Sequence, residues 1–452
     1  MPRRQAGDQV SSKTGVATDT ADAKTYNPCL HQASIDLDDY FTGPRDIQKH
    51  SKWPLFMRLH GSILPKLIVR ITFIALWSTG ITWIHKEGPS ISLGTTNVLL
   101  TVIGFVVGLG LSFRSSTAYE RYAEGRRYWS QLTVTCHNLA RTIWVHGKER
   151  PNSAKEDVLS KLTAINLLVA FAVSLKHKLR FEPYANYKDL QSLVEHLDTF
   201  AQQASNDDND HSRSKGILKR IGEDLGFSFA YSNPRKAIKQ AKGPLGNLPL
   251  EILCYLSAYL DSLCENGQLP IAMQQTIAYN SVASLNDVLT GCERVLNTPL
   301  PIAYAIAIHQ ITWLYLMLLP LQLLDGLDWV TIPATVAASG IILSILYIGG
   351  EIENPFGTDV NDLPLDAYCA QIAEDVEVMT ARPKPVWDET SRHRLNKVLF
   401  PHSKLSYEDW ASRPEGALRR TLRNRPHSAF RCSPVWKGIP SNEEAWLALN
   451  EV

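Results

Sequence analysis

Two groups of residues in this chain are spaced to act on ions. The first is a run of carboxylates in "EIENPFGTDVNDLPLD", residues 351–366, directly after an apolar stretch ending "ILYIGG". Carboxylates gathered between prolines and a glycine can ligate a hard cation, share protons as a catalytic acid cluster, or solvate the end of a membrane helix. The second group is Phe105, Leu109 and Phe113, which recur every four residues and therefore share one helix face. That face is either a lipid-facing stripe or bundle core, or one subunit's share of a ring that constricts a pore by dewetting. Beside it, Gly104, Gly108 and Gly110 permit close approach of a neighbouring helix. His309 lies inside another apolar run, where an ionisable side chain is a functional suspect. The plainer reading is a neutral imidazole bonded to an adjacent helix. Arg114, Arg121, Arg126 and Arg127 follow Phe113 at once. They read as a topology signal and headgroup anchor, with anion binding or pairing to distant acids as the alternative.

These residues need apolar elements to position them, and the sequence supplies four. Segments at about 63–85, 91–113, 300–323 and 329–350 approach or exceed the length that crosses a bilayer. Lys66 and Arg70 sit in the early turns of the first, where their stems reach toward headgroups. A fifth run, 162–175 between Lys161 and Lys176, is shorter and reads as a buried helix of a soluble layer. Basic flanks before the first span and after the second, against the near-neutral "HKEGPS" and "DGLD", put both termini in the cytosol. The expected architecture is an all-α membrane protein with four transmembrane helices per subunit and a cytosolic helical insertion over 114–294. A disordered cytosolic tail is expected over 1–45 and a second cytosolic tail over 386–452. The plasma membrane is the expected location, with an organelle membrane as the alternative.

Several function classes are excluded or unsupported. A net charge of +1 over 452 residues carries no nucleic-acid footprint. Seven cysteines, an odd number without paired spacing, give neither a disulfide framework nor a zinc site. No nucleophile elbow, phosphate loop, zinc-protease motif or dinucleotide fingerprint occurs, so no enzyme is expected; the alternative to a channel is an integral-membrane carrier or enzyme using the cytosolic helical insertion, or a membrane scaffold.

Three segments in order, "FRSSTAYERYAEGRRYWSQL", "NTPLPIAYAIAIHQITWLY" and "EIENPFGTDVNDLPLD", together resemble the bestrophins, in their bacterial and fungal form. The likeness spans roughly residues 45–380, within a channel domain bounded at 46–385. It implies a homopentamer in a lipid bilayer, conducting chloride and other small anions passively through a central pore lined by the second helix. By position, the family's apolar neck maps onto Phe105, Leu109 and Phe113. A second, cytosolic constriction is implied within the insertion, and Thr276 and Ile277 are the candidates. In animal members the acids after the "NPFG" segment belong to a calcium clasp. The matching positions here are Asp359 and Asp362, with Glu351 and the Asn354 carbonyl nearby, so calcium is the one cofactor the resemblance raises. The family often has His-Arg where this chain has His309-Gln310, and the role of that arginine is in doubt here.

Overall fold

The computed structural model describes residues 61–87, 97–183, 185–207, 245–400 and 402–431. The N-terminal tail, the first residues of the second span and the last part of the C-terminal tail lie outside the described residues. Every regular element among the described residues is helical, as patterning at 3.6-residue period and the lack of alternation require.

Helix α1 spans Leu64–Glu87 and α2 spans Asn97–Arg141. At 45 residues α2 is about 68 Å long, more than twice the roughly 30 Å hydrocarbon core. It therefore runs unbroken from apolar surroundings into water, and a π-helical turn at Thr142–His146 ends it. The insertion contributes α3 (Ala154–Leu179), the short α4 (Gln191–Val194) and α5 (Phe200–Asp207), α6 (Leu248–Glu265) and α7 (Ala272–Asn297). Asn247 caps α6, and Pro249 sits in its first turn, where the missing N–H costs least. Helix α8 (Ile302–Leu327) begins after Pro301, as the "NTPLP" prolines predict, and carries Pro320 in its interior. Helix α9 covers Thr331–Glu351 and α10 covers Leu365–Thr380. Beyond them the tail forms α11 (Trp387–Ser391), α12 (Tyr407–Ala411) and α13 (Glu415–Arg431). A reciprocal Ser406–Asp409 capping box starts α12.

Two separate apolar cores organise these elements. The smaller joins α1, the first half of α2, α8 and α9 through Leu67, Ile74, Val107, Leu111, Leu316, Leu343 and Leu346. The larger lies among the second half of α2, α3, α6, α7 and α10 around Trp129, Leu168 and Phe171. Among the described residues, five helices are long and apolar enough to cross a membrane, one more than the four expected. The fifth, α3, is the one that the flanking Lys161 and Lys176 mark as a soluble-layer helix. Of the residues in its most apolar stretch 61% are buried by protein, against 22–28% in the other four. Its Lys161 and Lys176 are themselves buried, with Lys161 donating to the Gly147 carbonyl and Glu149, and Lys176 to Asp189 and Asp366.

Candidate functional site

Helix α2 has two unlike faces. Leu100, Val107, Leu111, Arg114 and Ala118 are buried toward the rest of the bundle. Phe105, Leu109 and Phe113 point the other way and are 71%, 47% and 58% exposed. Val98, Val102 and Val106 extend the exposed stripe. The three periodic residues are therefore brought together on one uncovered apolar face. A 260 Å³ groove runs beside it, lined by Leu109, Phe113, Tyr304, Ile308 and Ile311. Of the three glycines, Gly104 permits the close approach expected of it: a Cβ there would stand 3.1 Å from the Tyr315 ring. A Cβ on Gly108 would meet nothing within 4 Å, so that position is not a helix contact within the chain.

The acidic stretch forms a collar that grips α2 and the start of α1. Phe356 is fully buried against Gly125 of α2, where a Cβ would lie 3.0 Å from the ring. Arg121 donates to the Glu353 carbonyl at 3.0 Å and to the Val295 carbonyl at 2.6 Å. Burial lowers the Arg121 pKa, against the opposing pull of Glu353 and Glu124. Glu353 accepts the Leu300 N–H at 3.1 Å, where α8 is about to begin. Arg114 reaches His309 of α8, Nη1 to Nδ1 at 3.0 Å, and lies 3.9 Å from the Glu353 carboxylate. The plainer reading of His309 thus matches its contact, a bond to a neighbouring helix. Spacing does not single out Glu353. Its only signal is adjacency to the aspartates that draw attention first.

The four candidate calcium ligands do not assemble an ion cage. Glu351 accepts from Lys66 at 3.3 Å and from Asn361 at 3.1 Å, and the Asp359 carboxylate lies 3.7 Å from the same ammonium. Asp362 is buried and accepts the Asp359 N–H at 2.8 Å. Burial pushes its pKa up to about 6; the Asp359 N–H opposes this, and the charges of Asp359 and Glu351 add to it. Asn354 is exposed. Among the described residues, no three acidic, histidine or cysteine side chains are placed to hold a metal. Calcium needs six to eight oxygens, and a lysine ammonium stands among these instead. No step through calcium follows from this arrangement. Thr276 and Ile277 sit in the second turn of α7, both exposed, well separated in sequence from the neck candidates.

The sequence profile described as Bacterial/Fungal Bestrophin protein matches residues 45–378. A voltage-dependent anion channel-forming protein of Synechocystis, sll1024, is 32% identical over 75% of this chain and 94% of its own. The Nostoc protein of the same description, alr2987, is 31% identical over 74% of this chain and 94% of its own. A crystal structure of a bacterial bestrophin homologue from Klebsiella pneumoniae aligns with a TM-score of 0.51 at 26% identity, covering 70% of this chain and all of that one. The fold is an all-helical membrane architecture, and the chain belongs to the bacterial and fungal bestrophin family.

Proposed function

We propose that this protein is a passive anion channel, with chloride the principal ion, assembled as a homopentamer around an axis lined by the first half of α2. One observation carries the reading: the Phe105, Leu109 and Phe113 face is apolar, lies in a membrane-length segment and stands exposed among the described residues. Family membership and relatives described as anion channel-forming proteins support it. A channel needs no catalytic group, and the protein is not an enzyme.

The neck works by size and by ring polarity. A phenylalanine presents its positive edge in the ring plane, so rings of Phe105 and Phe113 accept a partly dehydrated anion and offer a cation nothing. Leu109 has no such edge and acts through width and dewetting alone. Four helices, α1, the first half of α2, α8 and α9, cross the bilayer. The α3-containing layer, both termini and the collar face the cytosol, and the plasma membrane is the location favoured. Thr276 and Ile277 line a second constriction on the cytosolic path.

Reconstitution into planar bilayers tests the reading. Anion current with little cation permeability is expected; absence of current, or cation preference, rejects it. Particle-averaged images of the solubilised protein should show five-fold symmetry.

A further inference from the structure

We infer that Arg114 is a positioning residue for the neck, the side chain that sets how α2 is rotated and hence where Phe113 points. The inference rests on the channel reading above. Arg114 follows Phe113 directly, and successive helical residues stand about 100° apart. Phe113 accordingly faces outward while Arg114 is only 5% exposed and turns into the bundle. There it touches three other pieces of the chain. Its guanidinium meets His309 at 3.0 Å and Glu353 at 3.9 Å. Its side chain runs along the end of α9, where a Cβ on Gly349 would stand 3.5 Å from the Arg114 Cγ and one on Gly350 3.3 Å from its Nη2. Both glycines lie inside α9, which runs on to Glu351, and the arginine side chain packs along them.

Seven residues on, about two turns, Arg121 binds the backbone of the same Glu353. Two arginines on one stripe thus hold α2 to one collar residue, and a rotation that moved Phe113 would break both contacts. Glu353 passes the restraint on through the Leu300 N–H to the start of α8.

The restraint is also releasable. Arginine only donates, so its bond requires an unprotonated His309 Nδ1. The same Nδ1 lies 2.8 Å from the Ala305 carbonyl, a bond that requires it protonated. The two bonds are alternatives, and the choice between them frees or fixes Arg114. Its Nε is buried and finds no partner among the described residues, so the present contact is incomplete.

The test uses the full-length protein in bilayers and Arg114→Lys, which keeps the charge and loses the planar fork. Arg114→Lys should assemble like the wild type, keep the unitary conductance, and shift the closed-to-open ratio about 2- to 30-fold. Glu353→Gln should shift it the same way, and the double variant should add little, because both remove one contact. A second readout does not need current. In Phe113→Cys protein, the rate at which an aqueous thiol reagent labels position 113, followed on its own peptide by mass spectrometry, should change when Arg114→Lys is added. Wild-type gating and an unchanged labelling rate in Arg114→Lys would overturn the inference. So would strictly additive shifts in the double variant. If the wild type carries no anion current, the channel reading fails, and the labelling rate still decides whether Arg114 orients residue 113.

Discussion

Helices α2 and α3 contain stretches equally apolar by hydropathy, yet the structure uses them in opposite ways. In α3, Leu168, Phe171 and Leu175 are fully buried, and polar residues at both ends are drawn in with matched partners. In the first half of α2, the largest apolar side chains stand exposed. In water such a stripe would be a large hydrophobic patch, which soluble monomers rarely show. Hydropathy therefore identifies a segment that avoids water, but the covering material, protein in one case and lipid or a neighbouring subunit in the other, is a tertiary property.

The contrast is sharpest in stability. Phe171→Ala should destabilise the α3-containing layer by about 3–5 kcal/mol, because it empties a closed core. Leu76→Ala, at an α1 residue that is 68% exposed, should cost far less. Thermal unfolding of the solubilised protein measures both, and equal costs would erase the distinction.

The paired cations of α3 come next. Lys176→Ala leaves Asp189 and Asp366 without their ammonium and should cost about 1–3 kcal/mol, discounted because both acids are partly solvated. Burial alone would raise the Asp366 pKa, but hydrogen bonds from Arg180 and Lys176 outweigh it and hold the carboxyl down at about 2. A depressed pKa contributes stability that is present above the ordinary carboxylate range and lost as pH falls through the folded value. Lys176→Ala should therefore begin acid unfolding at a higher pH than the wild type, as circular dichroism would record.

On the α2 side the main readout is conduction. Phe113→Ala should widen the neck and alter unitary conductance, and an unchanged single-channel record would remove Phe113 from the ion path. Ile277→Ala should have a smaller effect, on current without loss of assembly.

The collar supplies the smallest effect. Asp362 has its folded pKa raised to about 6, so it favours the fold below the ordinary carboxylate range and loses that contribution as pH rises through about 6. Asp362→Asn should flatten the pH dependence of collar stability between about pH 4 and 6, measured by hydrogen exchange of residues 351–363. Calcium titration should leave the current unchanged, since the Lys66 ammonium already lies within 4 Å of both Glu351 and Asp359.

Much of this was legible from residue order alone. The apolar lengths mark the membrane helices, the four-residue recurrence of Phe105, Leu109 and Phe113 puts them on one face, and two lysines set α3 apart from the equally apolar α2. These are local properties, because helical period and hydrocarbon thickness depend only on nearby residues. The sequence could not say which face of α2 stays bare, that Arg114 packs along Gly349 and Gly350, or that Lys66, 285 positions from Glu351, takes the place a cation was expected to hold. Those facts depend on which distant segments meet. The meeting is decided by the packing of whole helices, where one buried arginine and one glutamate, Arg114 and Glu353, bring α2, α8 and the collar together.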